Sequence, residues 1–487
     1  MTGVGAFDPV MPEVALAVLV LVIVTADGFL KPESKHWLTW ITVAGLIVVG
    51  IRCALVWDTG ATTVFGSLYT VDKLSVVLKG GTVAIGILAA IFGPSYLRSR
   101  RLPLGEFNAI LVFSLLGMFV LASSADLITL FIGLELMVMP AYLLTGFHKT
   151  DRYSNEGGLK YFLLGSFASA ILLMGIAWTY GVTGTVSFAG ISEAVSGPMN
   201  PAMLLALALL MVGSTFKVAA VPFHYWTPDA YQGAPTPITG FLSVGPKLGA
   251  FALLLRLFAE ALAPAKSEWL GVLLALTVLT MTAGNVVALT QNNVKRMLAY
   301  SSIAHTGYIL AGLTVFAASD DPAVASQGIS AILFYLVGYG IMNIAAFAVV
   351  GLLQKDPKRF GGLASFAGLA RREPWLAAGM TVLLLSLTGI PPTVGFFAKL
   401  YVLLSVVNAG LVWLAAVIAL NAALAAFYYL RVVVYMYMRD PEEKPAPIER
   451  SLTSYVGLGL SVTGVIVLGL FPALLLEWLQ AGAASLF

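Results

Sequence analysis

Three lysines lie inside stretches of sequence that are otherwise apolar enough to cross a membrane. They are Lys217 in GSTFKVAAVPFHYW, Lys247 in FLSVGPKLGAFALLL and Lys399 in GIPPTVGFFAKLYVLL. A charged ammonium near the bilayer midplane costs at least about 2.5 kcal/mol, so chance is a poor explanation for several of them in one chain. The default hypothesis is a path for ions or protons.

A counter-charge stands in another apolar stretch. Glu135, in LFIGLELMVMPAY, has only apolar neighbours along its own helix. A lone carboxylate at this depth would become neutral, whereas a nearby lysine would keep both groups charged. We therefore predict that Glu135 pairs with Lys217, and that separating them would favour the neutral amine and release a proton. The alternative is a static structural ion pair.

Three further residues are supporting candidates for the same path. Lys160 opens an apolar span, where it either contributes to the path or snorkels to the interface. His224 follows a helix break, with interfacial Tyr and Trp beside it as the alternative explanation. His305, in NNVKRMLAYSSIAHTGYIL, has hydroxyl neighbours that could hold water between Lys247 and Lys399, although a hydrogen-bonded core histidine is the alternative.

The composition defines the broad class of protein. Of 487 residues, 59% are hydrophobic and only 10% are charged, which excludes a water-soluble surface and predicts an all-α polytopic membrane protein. The first apolar run lacks a basic n-region and a cleavage site, so we expect a span and not a removed signal peptide. About fourteen runs are long enough to cross a bilayer as helix. They cover 11–30, 37–57, 73–97, 105–123, 126–147, 159–181, 202–221, 235–259, 268–290, 296–317, 325–353, 376–401, 408–438 and 452–476.

Spans 7 and 12 are each broken by proline next to an intramembrane lysine. Pro222 follows Lys217, and Pro391-Pro392 precedes Lys399. Broken helices at membrane depth are tolerated only where they are buried in protein or line a polar cavity. Their matching positions suggest two inverted five-helix repeats within a single transmembrane domain over 1–487. We predict three N-terminal helices in 1–104, the repeats in 105–259 and 260–438, and a last helix in 439–487.

Basic residues between the spans indicate the orientation. Loops after odd-numbered spans carry nearly all of them: Lys31, Lys35, Arg98, Arg100, Arg101, Lys149, Arg152, Lys295, Arg296, Lys355, Lys358, Arg359, Arg371, Arg372, Arg439, Lys444 and Arg450. Short basic loops stay in the cytoplasm, so both termini should lie on the outer, periplasmic side of a bacterial inner membrane. We expect Lys295 and Arg296 to be topology anchors, and Lys73 and Lys79 to be interfacial.

Little in the sequence points to a redox centre on this chain. A single cysteine, Cys53, excludes an internal disulfide and a cysteine-ligated cluster, and four histidines limit haem or metal options. No glycine loop of the Rossmann type is evident. We expect no bound cofactor, no metal and no nucleic acid partner.

Several of these motifs resemble one known family, the antiporter-like membrane subunits of proton-pumping NADH:quinone oxidoreductase, respiratory complex I. The resemblance rests on KRMLAYSSIAHTGY, on GIPPTVGFFAKLY, on the glutamate of span 5 and on the lysines of spans 7 and 8, and it covers 105–438. VPFHYWTPDAYQGAPTPITGFLSVGPK and SNEGGLKYFLLGS are similar to the N-type branch. Lys399 separates the chain from the M type, and we expect no long lateral helix of the L type.

The resemblance implies fourteen helices and a proton path along the membrane midplane. It implies that Glu135 and Lys217 form the coupling pair, that Lys247 is the central relay and that Lys399 is the terminal site. It further implies that FMN, iron-sulfur clusters and quinone are held by other subunits. Neighbouring antiporter-like and small membrane subunits would be partners, together with the lipid bilayer.

Two other functions fit the residues. One is a subunit of a multisubunit sodium/proton antiporter, although few acids besides Glu135 lie at depth to bind sodium. The other is a structural membrane scaffold, in which the lysines are held in static ion pairs.

Overall fold

The chain folds almost entirely into helices in a computed structural model, which describes residues 8–58, 60–354, 362–441, 448 and 451–487. The α-helices within these residues are α1 Met11–Phe29, α2 Trp37–Leu55, α3 Lys73–Ser99, α4 Leu104–Ser123, α5 Leu127–Thr145, α6 Arg152–Thr183, α7 Phe188–Ala194, α8 Pro201–Lys217, α9 Trp226–Gly233, α10 Thr236–Leu242, α11 Gly245–Leu254, α12 Lys266–Thr290, α13 Val294–Ala318, α14 Pro322–Leu353, α15 Leu369–Arg372, α16 Pro374–Thr388, α17 Val394–Asn408, α18 Val412–Met438, α19 Leu452–Leu470 and α20 Ala473–Ala484. One antiparallel hairpin joins β1 Thr62–Val64 to β2 Tyr69–Val71.

Twelve helical segments in the described part of the chain are long and apolar enough to cross a membrane. The shorter apolar helices α8, α16 and α17 stand where the sequence predicts the broken spans 7 and 12. The prediction of an all-α membrane protein with about fourteen spans is therefore confirmed.

Both predicted helix breaks are present. After α8 the chain leaves helical geometry for 218–225, which includes Pro222, and resumes as α9. Residues 389–393, with Pro391-Pro392, separate α16 from α17. Proline lacks a backbone N–H and its ring obstructs the preceding turn, so neither helix can continue through these residues.

The structure adds one detail to the predicted spans and corrects another. Span 8 is itself interrupted, because α10 ends at Leu242 and α11 begins at Gly245. Span 12 continues to Asn408, well past its predicted end at 401, and α18 begins only at Val412. The predicted boundary relied on apolar run length, which does not distinguish a turn at Ala409–Leu411 from more helix.

The centre of the bundle is formed by α10, α11, α13 and α14, whose residues are buried nearly all round. Helices α1, α2, α6, α12, α18 and α19 surround them and keep exposed apolar faces. A polar side chain on the central helices therefore has little access to water. Four residues of the predicted path lie on or against these central helices: Lys217, Lys247, Lys399 and His305. Lys160 and His224 do not.

The loops predicted to be cytoplasmic meet at one end of the bundle. Tyr96, Arg100, His148, Lys295 and Gln354, from the ends of α3, α5, α13 and α14, line one small polar cleft. Lys355, Lys358, Arg359, Lys444 and Arg450, which also support the orientation, lie outside the described residues. The side of the membrane that this end faces, and the division into two inverted repeats, stay predictions.

Candidate functional site

Glu135 and Lys217 are joined through a third side chain. Lys217 Nζ donates a hydrogen bond to Ser169 Oγ at 2.8 Å, and Ser169 Oγ donates to Glu135 Oε1 at 2.5 Å. Lys217 Nζ also donates to the carbonyl of Gly165 at 3.3 Å. The structure brings the predicted pair together but inserts a hydroxyl from α6, where the sequence analysis expected a direct ion pair.

The close approach of α6 and α8 places these groups within hydrogen-bond distance. A Cβ on Gly213 of α8 would lie 2.8 Å from Leu172 Cα of α6, and a Cβ on Gly175 of α6 would lie 2.9 Å from Leu210 N of α8. Side chains at either glycine would push the helices apart. These glycines therefore let the α6 and α8 backbones come close enough for Lys217 to reach Ser169.

Lys247 is placed in the first turn of α11, directly after the break in span 8. Its Nζ donates to the carbonyl of Ser302 at 2.5 Å and to Ser302 Oγ at 2.7 Å, both on α13. The same ammonium lies 5.2 Å from the ring centroid of Tyr339 on α14. Aromatic faces attract cations, so Tyr339 and Ser302 together stabilise a charged Lys247 without a carboxylate.

A hydrogen-bonded link connects the break after α8 with Lys247. Thr306 Oγ1 donates to the carbonyl of Val218 at 2.8 Å and lies 3.2 Å from the carbonyl of Ser302. Val218 immediately follows Lys217, and Ser302 accepts from Lys247. Helix α13 therefore contacts both the Lys217 and the Lys247 sites, whereas the sequence analysis expected its hydroxyls to hold water between Lys247 and Lys399.

His305 lies in an aromatic cage between Lys247 and Lys399. Its Nδ1 is 2.8 Å from the hydroxyl of Tyr335, and its Nε2 is 3.1 Å from the hydroxyl of Tyr429. Its ring centroid is 4.8 Å from that of Tyr339. Both ring nitrogens bond to tyrosines of α14 and α18, which agrees with the alternative of a hydrogen-bonded core histidine.

Lys399 lies on α17, and its ammonium reaches back to the end of α16. Its Nζ donates to the carbonyls of Leu387 and Thr388, at 2.9 Å and 2.7 Å, where α16 ends. The final carbonyls of a helix lack intrahelical partners and carry its negative dipole end, so they stabilise a cation. The ammonium also lies 5.3 Å from the ring centroid of Tyr308 on α13.

The three lysines are buried, with 8%, 4% and 6% of Lys217, Lys247 and Lys399 exposed. Among the described residues, Lys247 and Lys399 have no carboxylate at ion-pair distance. Backbone carbonyls, a serine hydroxyl and aromatic faces contact these two ammonium groups in place of a carboxylate. Neither ammonium is therefore held in an ion pair within the described part of the chain.

Lys160 lies apart from this path. Its Nζ is 2.7 Å from Glu156 Oε1 and 2.9 Å from Asp229 Oδ2. Arg296 Nη1 lies 3.1 Å from the other carboxylate oxygen of Asp229. The Lys160 side chain is 43% exposed. This half-exposed ion cluster agrees with the interfacial alternative.

His224 lies in the break between α8 and α9 and is half-buried. Among the described residues, its buried Nδ1 has no hydrogen-bond partner. It follows Pro222 and precedes the exposed Tyr225. The structure does not connect His224 to Lys217 or to Lys247 by a hydrogen bond within the described part of the chain.

Two lysines expected at the interface are buried instead. Lys79 is fully buried and pairs with Glu13 of α1 at 2.7 Å, and Tyr69 of β2 donates to the same carboxylate oxygen at 2.5 Å. Lys295 is 2% exposed and donates to the carbonyl of Ala234 at 2.5 Å. Proximity to a helix start gave the wrong environment for Lys79, whereas the expectation that Lys295 is a topology anchor stays a prediction.

The sequence analysis did not single out Arg256, which is also a buried charge. Arg256 donates to both oxygens of Asp72, at 2.8 Å and 2.9 Å, to Glu260 at 3.0 Å and to the carbonyl of Ala122. The guanidinium is saturated with acceptors and cannot release its proton at accessible pH, so its role is structural. It ties span 8 to the N-terminal end of α3.

Several hydroxyl and amide groups of the network around the lysines and His305 were also missed. They are Ser169, Tyr308, Tyr335, Tyr339, Asn343, Asn285, Tyr428 and Tyr429. The spacing of Tyr335, Tyr339 and Asn343 at four-residue intervals was a usable signal, because it places all three on one face of α14. No group of three or more His, Cys, Asp or Glu side chains in the described part of the chain is placed to hold a metal ion.

Known proteins with the same features define the class. The family model described as NADH:quinone oxidoreductase/Mrp antiporter, TM matches residues 124–425. NADH-quinone oxidoreductase subunit N of Trichlorobacter lovleyi is 41% identical over 97% of this chain and 96% of its own length.

Solved structures agree. A chain of respiratory complex I from Thermus thermophilus with bound aureothin superposes with a TM-score of 0.81 and 32% identity, over 96% of this chain and 99% of that one. A chain of the Mrp complex from Dietzia sp. gives a TM-score of 0.83 at 23% identity, over 100% of this chain and 98% of that one, which shows the shared fold alone.

The buried lysines at helix breaks and these likenesses together place the chain in the family of NADH:quinone oxidoreductase and Mrp antiporter membrane subunits. Within that family it is of the subunit N type, a proton-translocating multi-pass membrane subunit of NADH:quinone oxidoreductase. The function inferred from the sequence is confirmed, and neither the sodium/proton antiporter nor the scaffold alternative is needed.

Proposed function

We propose that protons move through this chain along a buried line from Glu135 through Lys217 and Lys247 to Lys399. The observation that carries the proposal is the kind of partner that each lysine has. Among the residues that the structure describes, Lys217 is linked through Ser169 to a carboxylate, whereas Lys247 and Lys399 are held by carbonyls, hydroxyls and aromatic faces. Protons pass between such sites directly or through water within hydrogen-bond reach.

His305 is the supporting residue that the geometry favours. It stands between the Lys247 and Lys399 sites, and both of its ring nitrogens have hydroxyl partners that can donate or accept. Lys160 and His224 have supporting roles outside the buried line. Their half-exposed positions fit exchange with water better than transfer within the core.

The remaining parts of the reaction belong to other subunits of the complex. NADH, FMN, iron-sulfur clusters and quinone would bind there, and neighbouring antiporter-like and small membrane subunits would contact this chain. A charge or conformational signal from those neighbours would alter the Glu135 to Lys217 linkage. Both termini would lie on the outer, periplasmic side of the bacterial inner membrane, as the basic loops indicate.

The test is proton uptake driven by NADH in inverted membrane vesicles, sensitive to a complex I inhibitor. Lys217→Ala is compared with the wild type at matched amounts of assembled complex. We expect a loss of pumping of roughly tenfold or more, because proton transfer by one positioned group contributes at least that much. Lys266→Ala is the control, since Lys266 pairs with the exposed Asp320 and should not affect pumping. Unchanged pumping in Lys217→Ala would contradict the proposal.

A further inference from the structure

Ser169 stands between the two charged groups and contacts both. It lies inside α6, is 6% exposed, and accepts from Lys217 Nζ while donating to Glu135 Oε1. Glu135 and Lys217 make no direct ion pair within the described part of the chain. In the described part of the chain, the hydrogen-bonded connection between Glu135 and Lys217 therefore runs through the Ser169 hydroxyl.

The hydroxyl of Ser169 is oriented unlike other hydroxyls in these helices. Thr179 of the same helix, Ser214 of α8 and Ser330 of α14 each donate to the carbonyl four residues earlier, the usual local partner. The corresponding carbonyl for Ser169 is that of Gly165, and Lys217 Nζ donates to it instead. Lys217 thus takes the local acceptor of Ser169, and the hydroxyl hydrogen points at Glu135.

We propose that Ser169 is a proton relay, which passes a proton between Lys217 and Glu135 without the two groups meeting or separating. The ammonium of Lys217 gives a proton to Ser169 Oγ as Ser169 gives its own proton to Glu135 Oε1. One N–H bond and one O–H bond break, and two O–H bonds form. The products are a neutral amine, an unchanged serine hydroxyl and a carboxylic acid, so atoms and charge balance.

Hydrogen-bond geometry supports a proton relay over a purely structural role for Ser169. The Lys217 to Ser169 link at 2.8 Å lies within the range of about 2.6–3.2 Å over which protons are transferred. The Ser169 to Glu135 link at 2.5 Å has the length of a hydroxyl bonded to a carboxylate, about 2.5–2.7 Å, so the two links are close enough for transfer in series. A hydroxyl both donates and accepts, so it can reverse both hydrogen bonds by rotating. A purely structural role needs only volume and one hydrogen bond, which gives the two ideas different consequences.

The matched pair of variants is Ser169→Thr and Ser169→Val. Threonine and valine have the same shape, and only threonine keeps the hydroxyl. NADH-driven proton uptake in inverted vesicles is measured against NADH oxidation at matched amounts of assembled complex. We expect Ser169→Thr to retain at least about half of the wild-type pumping, and Ser169→Val to lose roughly tenfold or more. Ser169→Ala, which leaves room for a water molecule, should fall between them.

Ser214→Ala is the control for loss of an intramembrane serine. Ser214 lies on α8 near Lys217, but its hydroxyl bonds only to carbonyls of its own helix. The Ser214→Ala variant should pump protons at the wild-type rate. Equal pumping in Ser169→Val and Ser169→Thr would overturn the relay, and so would equal losses in both, because shape would then explain the effect.

This inference rests on the proposed proton line, and the two can fail separately. Retained pumping in Lys217→Ala contradicts the proton line itself. Lost pumping in Lys217→Ala together with normal pumping in Ser169→Val keeps the line and removes only the relay.

Discussion

Lys399 differs from Lys217 in what its ammonium contacts. Lys217 has a hydroxyl that leads to a carboxylate, whereas Lys399 has two backbone carbonyls at the end of α16. Carbonyls accept hydrogen bonds from any cation, so the contact by itself does not require lysine. The proposed proton line does require lysine at this position, because lysine can lose its proton and arginine cannot.

Lys399→Arg tests that requirement. Arginine can donate to the same carbonyls, but it does not release its proton at accessible pH. We expect the complex to assemble and pumping to fall roughly tenfold or more. Pumping and assembled complex are measured as for Lys217→Ala, with Lys266→Arg as the control at an interfacial ion pair. Wild-type pumping in Lys399→Arg would show that Lys399 acts only as a fixed charge.

The Glu13 and Lys79 pair is expected to affect stability. Lys79→Met removes the cation that pairs with Glu13, whose side chain is only 12% exposed. Because the carboxylate is then left without its partner, we expect a loss of about 2 kcal/mol in the free energy of unfolding. The midpoint of thermal unfolding of the purified complex reports it. Glu13→Gln combined with Lys79→Met should recover part of the loss, because no uncompensated charge remains. Lys73→Met, at an exposed lysine of the same helix, is the control.

Single residues were predictable where their chemistry conflicts with their surroundings. Lys217, Lys247 and Lys399 stand out because charge is costly in an apolar run. Ser169 does not stand out, because hydroxyls are common in membrane helices and usually bond to their own backbone. Lys79 was misjudged because its partner Glu13 lies two spans earlier in the chain, and sequence spacing does not reveal that contact.

The contact between α6 and α8 is the element-scale feature on which the Glu135 to Lys217 linkage depends. Gly213→Ala would place a Cβ 2.8 Å from Leu172 Cα, so the helices must shift. We expect a loss of about 1–3 kcal/mol in stability and reduced pumping from a lengthened Lys217 to Ser169 contact. Gly181→Ala on α6, where a Cβ meets nothing, is the control. Thermal unfolding and proton uptake in both variants check the prediction, and equal behaviour of the two would contradict it.

Helices and their breaks were predictable to different degrees. Proline marked the breaks after α8 and α16, since it cannot continue a helix. The break at Ser243–Val244 was not predicted, although Gly245-Pro246 follows it directly. Pro246 lies in the first turn of α11, where proline is tolerated, so it signals a helix start as readily as a break.

At the scale of the whole molecule, the orientation in the membrane is testable with single cysteines. Cys53 is the natural cysteine and is buried, so Cys53→Ala provides the background. We expect Phe487→Cys to react with an impermeant maleimide applied to the outer face of the membrane, and Thr150→Cys, in the loop after α5, to react only in inverted vesicles. The reverse pattern would invert the proposed topology.

Helix α14 contributes to more than one lysine site. Tyr339 lies against Lys247, and Tyr335 bonds to His305 and stacks on Tyr308, whose ring faces Lys399. Because Tyr335 and Tyr339 belong to one continuous helix, a turn of α14 about its axis would swing both rings in the same direction. The surroundings of Lys247, His305 and Tyr308 would then change at the same moment, so under the proposed proton line the two halves of the chain would be synchronised by one helix.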